Sequence, residues 1–172
     1  MTIDSSSRRN LELTENLKEK SKKGSLIWVL DKTSTTMGGR TLRKWIEEPL
    51  INKEEINKRL DSVDELFNNI YFTEELRESL KNIYDIERIV GKISNKNVNA
   101  KDLVSLNMSL MKLPEIKEKL SVCKADLLSD WYNNLDVLDD IRTLLSKALL
   151  DDPSTSVKEG NIIREGYSSK VD

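Results

Sequence analysis

Residues that could do chemistry cluster in one stretch. Between Thr33 and Leu50 the chain reads Thr-Ser-Thr-Thr, Met37, Gly38, Gly39 and Arg40, then an apolar-periodic run through Leu42, Trp45 and Ile46 that Pro49 ends. Hydroxyls and glycines at the first turn of a helix expose backbone N–H groups at its positive end, and an adjacent arginine could complete an anion cradle. The competing reading is a packing joint. Glycine then lets a neighbouring backbone approach closely, and Arg40 ties down loop carbonyls or a carboxylate. No Gly-x-x-x-x-Gly-Lys-Ser/Thr pattern occurs and no strand leads into the stretch, so the joint reading is preferred, with Gly38, Gly39, Arg40 and Trp45 as its residues.

Other reactive-looking residues point to no site. Adjacent acids at Asp139-Asp140 and Asp151-Asp152 project in different directions on a helix and lack partners at metal-ligand spacing, so they read as solvated faces. Cys123 has no histidine to activate it, because the chain contains none. The commonest general base, the commonest metal ligand and every His-based triad go with it. The run Lys18–Lys23 lacks interleaved aromatics and reads as a solvated turn. Trp28, Trp45 and Trp131 each lie on an apolar face, and core packing is expected of them. The sequence thus predicts no catalytic, cofactor-binding or metal-binding residue.

The elements that must position these residues are helical nearly throughout. With 37% hydrophobic and 34% charged residues, and only 6 Gly and 3 Pro in 172 residues, the composition suits helices with charged outer faces and argues against a β-sandwich. Ser5–Ser7 offer caps to a short helix near Arg8–Leu13, and Gly24-Ser25 starts another through Leu26, Ile27, Val29 and Leu30. Asn52 opens a capping-box-like start for a stripe of Ile56, Leu60, Val63, Leu66 and Phe67. Thr73, Asp85 and Asn99 each precede a further apolar pattern, and Pro114 breaks or kinks the helix of Leu103–Leu113. The longest clean pattern is Leu128, Trp131, Leu135, Leu138, Ile141, Leu145 and Leu149. β-Branched residues on both sides of Gly160-Asn161 predict a small hairpin, and Ser169–Asp172 reads as one more helix start. The expected fold is all-α, an irregular multi-helix bundle over residues 1–152, followed by a hairpin and the start of a long helix over 153–172.

Net charge is −2, so no global attraction to nucleic acid exists. Residues 1–50 carry 10 Lys/Arg against 7 Asp/Glu, while residues 126–152 carry 2 against 7, which makes the last helical stretch a poor DNA-facing surface. A single cysteine fits a reducing compartment, and no apolar run approaches the ~18 residues of a membrane span.

Leu30–Leu50 resembles a signature of the MutS family of DNA mismatch repair proteins: Leu30, Asp31, Thr33, Thr35, Gly38, Arg40, Leu42, Arg43, Trp45, Pro49 and Leu50 fall at the family's positions, with Ile46 where Leu is common. Arg8–Leu13 is similar to the start of the family's core domain, Asp85–Ile93 to its Asp-x-Glu-Arg step, and Asp152–Asp172 to the stretch leading toward the DNA clamp, with Gly160-Asn161 where the family has Gly-Gly. The resemblance implies a fragment: the first part of the core, or lever, domain, which lacks the Phe-x-Glu mismatch reader, the clamp and the ATP-binding loop. It implies ATP and Mg in the parent but no cofactor in this stretch. The implied partners are the remaining MutS domains (clamp and ATPase) and, through them, mismatched double-stranded DNA. The parent would be a homodimer in the bacterial cytoplasm, associated with the nucleoid and not with a membrane. Two other classes compete, a free-standing helical interaction module and a non-sequence-specific DNA-binding module. If the fragment reading holds, the stripes Leu128–Leu149 and Leu103–Leu113 are expected to lie bare and the isolated chain to self-associate.

Overall fold

A computed structural model describes residues 3–168. Ten α-helices follow one another through them: α1 (Ser5–Asn10), α2 (Leu26–Leu30), α3 (Thr36–Glu47), α4 (Lys53–Phe67), α5 (Ile70–Lys81), α6 (Ile86–Ser94), α7 (Ala100–Leu110), α8 (Leu113–Leu120), α9 (Asp126–Asn134) and α10 (Asp139–Ala148). The fold is all-α, as the periodicity predicts. The helix start proposed at Ser169–Asp172 lies outside the described residues.

Most helices begin where a short polar side chain takes up the N–H groups that the first turn leaves unpaired. Ser25 caps α2, Thr35 caps α3, Asn52 caps α4 and Asp85 caps α6. At α7, Asn99 and Asp102 form a reciprocal capping box. Two expected caps shift. Asp4, not a serine, caps α1, because its carboxylate reaches Ser7 N at 3.0 Å. Asn69, not Thr73, caps α5, and Thr73 instead donates its hydroxyl to Leu66 O at 2.6 Å. α8 starts with proline in its first turn, where a missing N–H is harmless.

Two apolar cores hold the helices together. The first joins α6, α7 and α10 through Ile89, Leu106 and Leu110, with Leu138 and Leu145 packed against them. The second joins α4, α5, α8 and α9 through Ile116, Leu120 and Leu128, with Leu66, Leu76, Leu80 and Leu135 around them. Polar ties complete the packing. The Glu65 carboxylate on α4 accepts the N–H groups of Lys124 and Ala125 at 2.8 and 2.6 Å, so it holds the start of α9 from another helix. Ser109, fully buried, accepts the Tyr84 N–H at 2.9 Å and fixes the turn before α6. The N-terminal helices contribute to neither core. Leu13 and Ile27 bury themselves locally, where Leu26 N and Ile27 N donate to Glu12 O and Leu13 O.

Four expectations are overturned. The hairpin around Gly160-Asn161 does not form. Gly160 and Asn161 both adopt positive φ, but the segment beyond them pairs with the end of α10 through a single antiparallel bridge, Leu149 to Ile163. Leu150 N donates to Ile162 O and Arg164 N to Ala148 O, while Val157–Glu159 coils into a 3-10 turn. The end of α10 thus takes the backbone partners a hairpin would have used. The long pattern Leu128–Leu149 is likewise two helices, since Leu138 sits in the left-handed region at φ 51° and turns the chain between α9 and α10.

The three tryptophans are not core residues. Trp28, Trp45 and Trp131 all stay substantially exposed. The faces expected to be bare are also largely covered, with Leu128 and Leu110 among the most buried side chains, although Trp131 and Ile141 stay exposed. The bare face belongs to α4. Ile56, Leu60, Val63 and Phe67 recur at the 4-3-4 spacing of a helix seam and point to solvent, with Phe67 76% exposed, while Ser62 and Leu66 face inward. The chain exposes 12191 Å² in all. A compact monomer of 19.8 kDa exposes about 8,600 Å², so the excess is about 3,600 Å².

Candidate functional site

The stretch from Asp31 to Leu50 is organised by its own hydroxyls. Asp31 accepts from Thr33 N at 3.2 Å and from Thr33 Oγ1 at 2.7 Å, and pairs with Lys22 at 2.5 Å. The Lys22 ammonium and then the Thr33 hydroxyl hold its carboxyl at about 2, below the usual carboxylate range. This turn lays Thr33 over the start of α3. Thr35 Oγ1 accepts from Gly38 N at 2.9 Å.

The two glycines differ in their need to be glycine. A Cβ on Gly38 would stand 3.0 Å from Thr35 Oγ1 and 3.3 Å from Thr33 Cβ, so the capping hydroxyl itself would have to move. At Gly39 the nearest neighbour would be Thr33 Oγ1 at 3.4 Å, an ordinary contact. The close approach is therefore made by the loop Asp31–Thr35 on the helix.

Arg40 reaches a partner distant in sequence. Its guanidinium donates to both oxygens of Asp85 at 2.7 and 2.8 Å and, through Nε, to Glu87 at 3.1 Å. Asp85 is also the N-cap of α6 and accepts from Arg88 N at 3.1 Å. One planar fork thus binds two carboxylates of the first turn of another helix. The Arg40 hydrogen bonds lower the Asp85 carboxyl to about 2, and the same contacts push the guanidinium further up. Further along α3, Arg43 pairs with Glu47 at 3.0 Å, Glu47 reaches Arg8 of α1 at 3.5 Å, and the Arg59 guanidinium of α4 lies 3.6 Å from the centre of the Trp45 ring.

Beside α3 lies an open groove of about 570 Å³, lined in part by Lys22, Asp31, Thr33, Gly39, Arg40 and Arg43. It has the residue types of an anion cradle, but the donors of the Asp31–Arg43 stretch are engaged, as is Lys22. Gly38 N serves Thr35, Lys22 serves Asp31, Arg40 serves Asp85 and Glu87, and Arg43 serves Glu47. Elsewhere, Cys123 is half-buried and its thiol is pushed up by desolvation and by Glu65. Asp151 and Asp152 pair with Arg164 and Lys101. Among the described residues no three His, Cys, Asp or Glu side chains converge as a metal-binding set, and no helix is long and apolar enough to cross a membrane.

The structure brings Gly38, Gly39 and Arg40 together with Thr33 and Thr35, and places Trp45 two turns away against Arg59. Sequence reasoning did not identify Asp85, Glu87 or Arg59 as partners. The usable signal was that Asp85 and Glu87 belong to a second motif segment, Asp85–Ile93.

These features define a helical scaffold module in which two motif segments meet through one arginine. The sequence model described as MutS domain III matches residues 6–170, and the chain belongs to the MutS family. It is 67% identical over all 172 residues to the DNA mismatch repair protein MutS of Clostridium beijerinckii, and 64% identical to that of a Clostridium botulinum strain. It spans 18% of the length of each of these relatives.

Proposed function

We propose that this chain is the structural connector of a DNA mismatch repair protein, transmitting position between a part that grips DNA and a part that hydrolyses ATP. The observation that carries the reading is the bare helix-seam face of α4, in a family member that spans 18% of its relatives' length. A surface about 3,600 Å² above that of a compact chain of this mass supports it, because a standard protein interface takes about 800 Å² from each side. In this reading the remainder of the same polypeptide covers α4. ATP, Mg and mismatched double-stranded DNA are bound by the parent's other regions. The parent works as a homodimer in the bacterial cytoplasm, on the nucleoid, and the isolated chain self-associates through the uncovered face.

Within this reading Gly38, Gly39, Arg40 and Trp45 form a structural joint. Gly38 lets the Asp31–Thr35 loop close on α3 beside Gly39, and Arg40 and Trp45 carry that rigid piece to α6 and α4. The test is made in the full-length protein. Gly38→Val is expected to preserve ATP hydrolysis in the absence of DNA and to weaken the change in hydrolysis that mismatched DNA produces. An unaltered response would remove the joint from the coupling path. Calorimetric titration of the 172-residue chain with Mg-ATP is expected to give no binding heat, and micromolar binding would revive the anion cradle.

A further inference from the structure

The N-terminal helices and the rest of the chain are joined in an unusual way. Residues 3–48, carrying α1, α2 and α3, give no side chain to either apolar core. No residue of α3 is buried. α3 packs on α2, whereas α6, α7 and α10 pack on one another and α4, α5, α8 and α9 on one another. The ion-pair and cation–π ties from this piece to the helical body are Arg40 on Asp85 and Glu87, 45 and 47 residues away, and Trp45 beneath Arg59. Internally the piece is well braced, by Lys22–Asp31, Arg43–Glu47, Arg8–Glu47 and the backbone bonds from Leu26 and Ile27 to Glu12 and Leu13. Apolar cores are close-packed and resist sliding. A directional polar contact between two braced bodies instead has discrete made and unmade states, which a hinge or domain rotation requires.

We infer that residues 3–48 form a movable arm, latched onto the helical body by the fork of Arg40 on the first turn of α6. Releasing that fork frees the arm to turn about residues 48–52 without unfolding either piece. Asp85 keeps its capping bond to Arg88 N when Arg40 leaves, so α6 survives the release. Glu87 has no capping role and is the cleaner partner to remove. This inference rests on the contacts of this chain and not on the repair reading, so it can fail while that reading stands.

The test places spin labels at Lys44→Cys on α3 and Met108→Cys on α7, two exposed positions, in a Cys123→Ser chain. The parent is expected to give one narrow distance distribution. Arg40→Ala, and separately Glu87→Gln, should add a second population at a different distance, with circular dichroism and the hydrogen-exchange protection of α6 and α7 unchanged. Arg40→Lys, which keeps the charge but loses the fork, should fall between them. As a check that leaves Arg40 and Glu87 in place, raising salt from 0.1 to 1 M, where the screening length falls from about 10 to about 3 Å, should populate the second distance in the labelled parent. One unchanged narrow distribution in folded Arg40→Ala and Glu87→Gln would overturn the latch. So would loss of α6 protection together with the distance change, since Arg40 would then be holding the fold and not the arm.

Discussion

Single residues in the Asp31–Arg40 stretch behave differently although they look alike. Gly38 and Gly39 are neighbours in one helix, yet only Gly38 has a capping hydroxyl where its Cβ would go. Gly91, on α6, has nothing within 4 Å of that position. Gly91→Ala is therefore expected to gain about 0.5–1 kcal/mol from helix propensity. Gly38→Ala should lose about 1 kcal/mol as Thr35 is displaced from its cap. Urea denaturation of the two variants separates them, and equal gains would mean that the loop does not press on the helix. The hydroxyl-glycine pattern was legible in the sequence because caps and glycines act within a few residues. The partners of Arg40 were not, because nothing in local spacing says which of 30 acidic residues will arrive from 45 positions away.

Protonation follows from the same contacts. Asp31, Asp85 and Glu115 are each held at about 2: Asp31 by Lys22 and Thr33, Asp85 by Arg40, and Glu115 first by the Ser79 hydroxyl and then by Lys119 and Lys112. Carboxyls lowered in the folded state stabilise it above their unfolded values near 4, and that contribution is lost as pH falls through the folded values. Stability should thus drop between about pH 4 and pH 2. With no histidine in the chain, it should be flat from about pH 5 to 8. Thermal melts across both windows check this. A slope near neutrality would point to a titrating group outside these contacts.

At the scale of elements, capping signals were the most readable feature, and the turn between α5 and α6 shows where they stop. Ser109 sits mid-pattern on α7, and its sequence context does not reveal that it accepts the Tyr84 N–H from another segment. Ser109→Ala would leave that part-buried donor without its partner, so a loss of about 1 kcal/mol is expected, against near-neutrality for the exposed Ser94→Ala. Chemical denaturation decides it, and a neutral Ser109→Ala would mean that water replaces the hydroxyl. The break at Leu138 left no glycine or proline to mark it. Apolar spacing continues across α9 and α10 because each helix faces a different core, and periodicity alone cannot distinguish one long face from two short ones.

The whole molecule carries the least legible feature. Periodicity put Ile56, Leu60, Val63, Leu66 and Phe67 on one stripe, of which Leu66 turns into the core, but it did not show what covers the rest, because cover is a property of the assembled surface. The seam is two heptads long, so pairing between separate chains needs high concentration, whereas a segment on the same polypeptide meets it at high effective concentration. Leu60→Lys is accordingly expected to change the stability of the 172-residue chain by no more than about 0.5 kcal/mol and to cost the full-length protein more.

The most direct measurement is thiol reactivity at Leu60→Cys, in a Cys123→Ser background, compared between the 172-residue chain and the full-length protein. The connector account predicts reaction at the rate of an exposed thiol in the dilute short chain and strong protection in the full-length protein. Equal, fast reaction in both would mean that nothing in the parent covers α4 and would contradict the account.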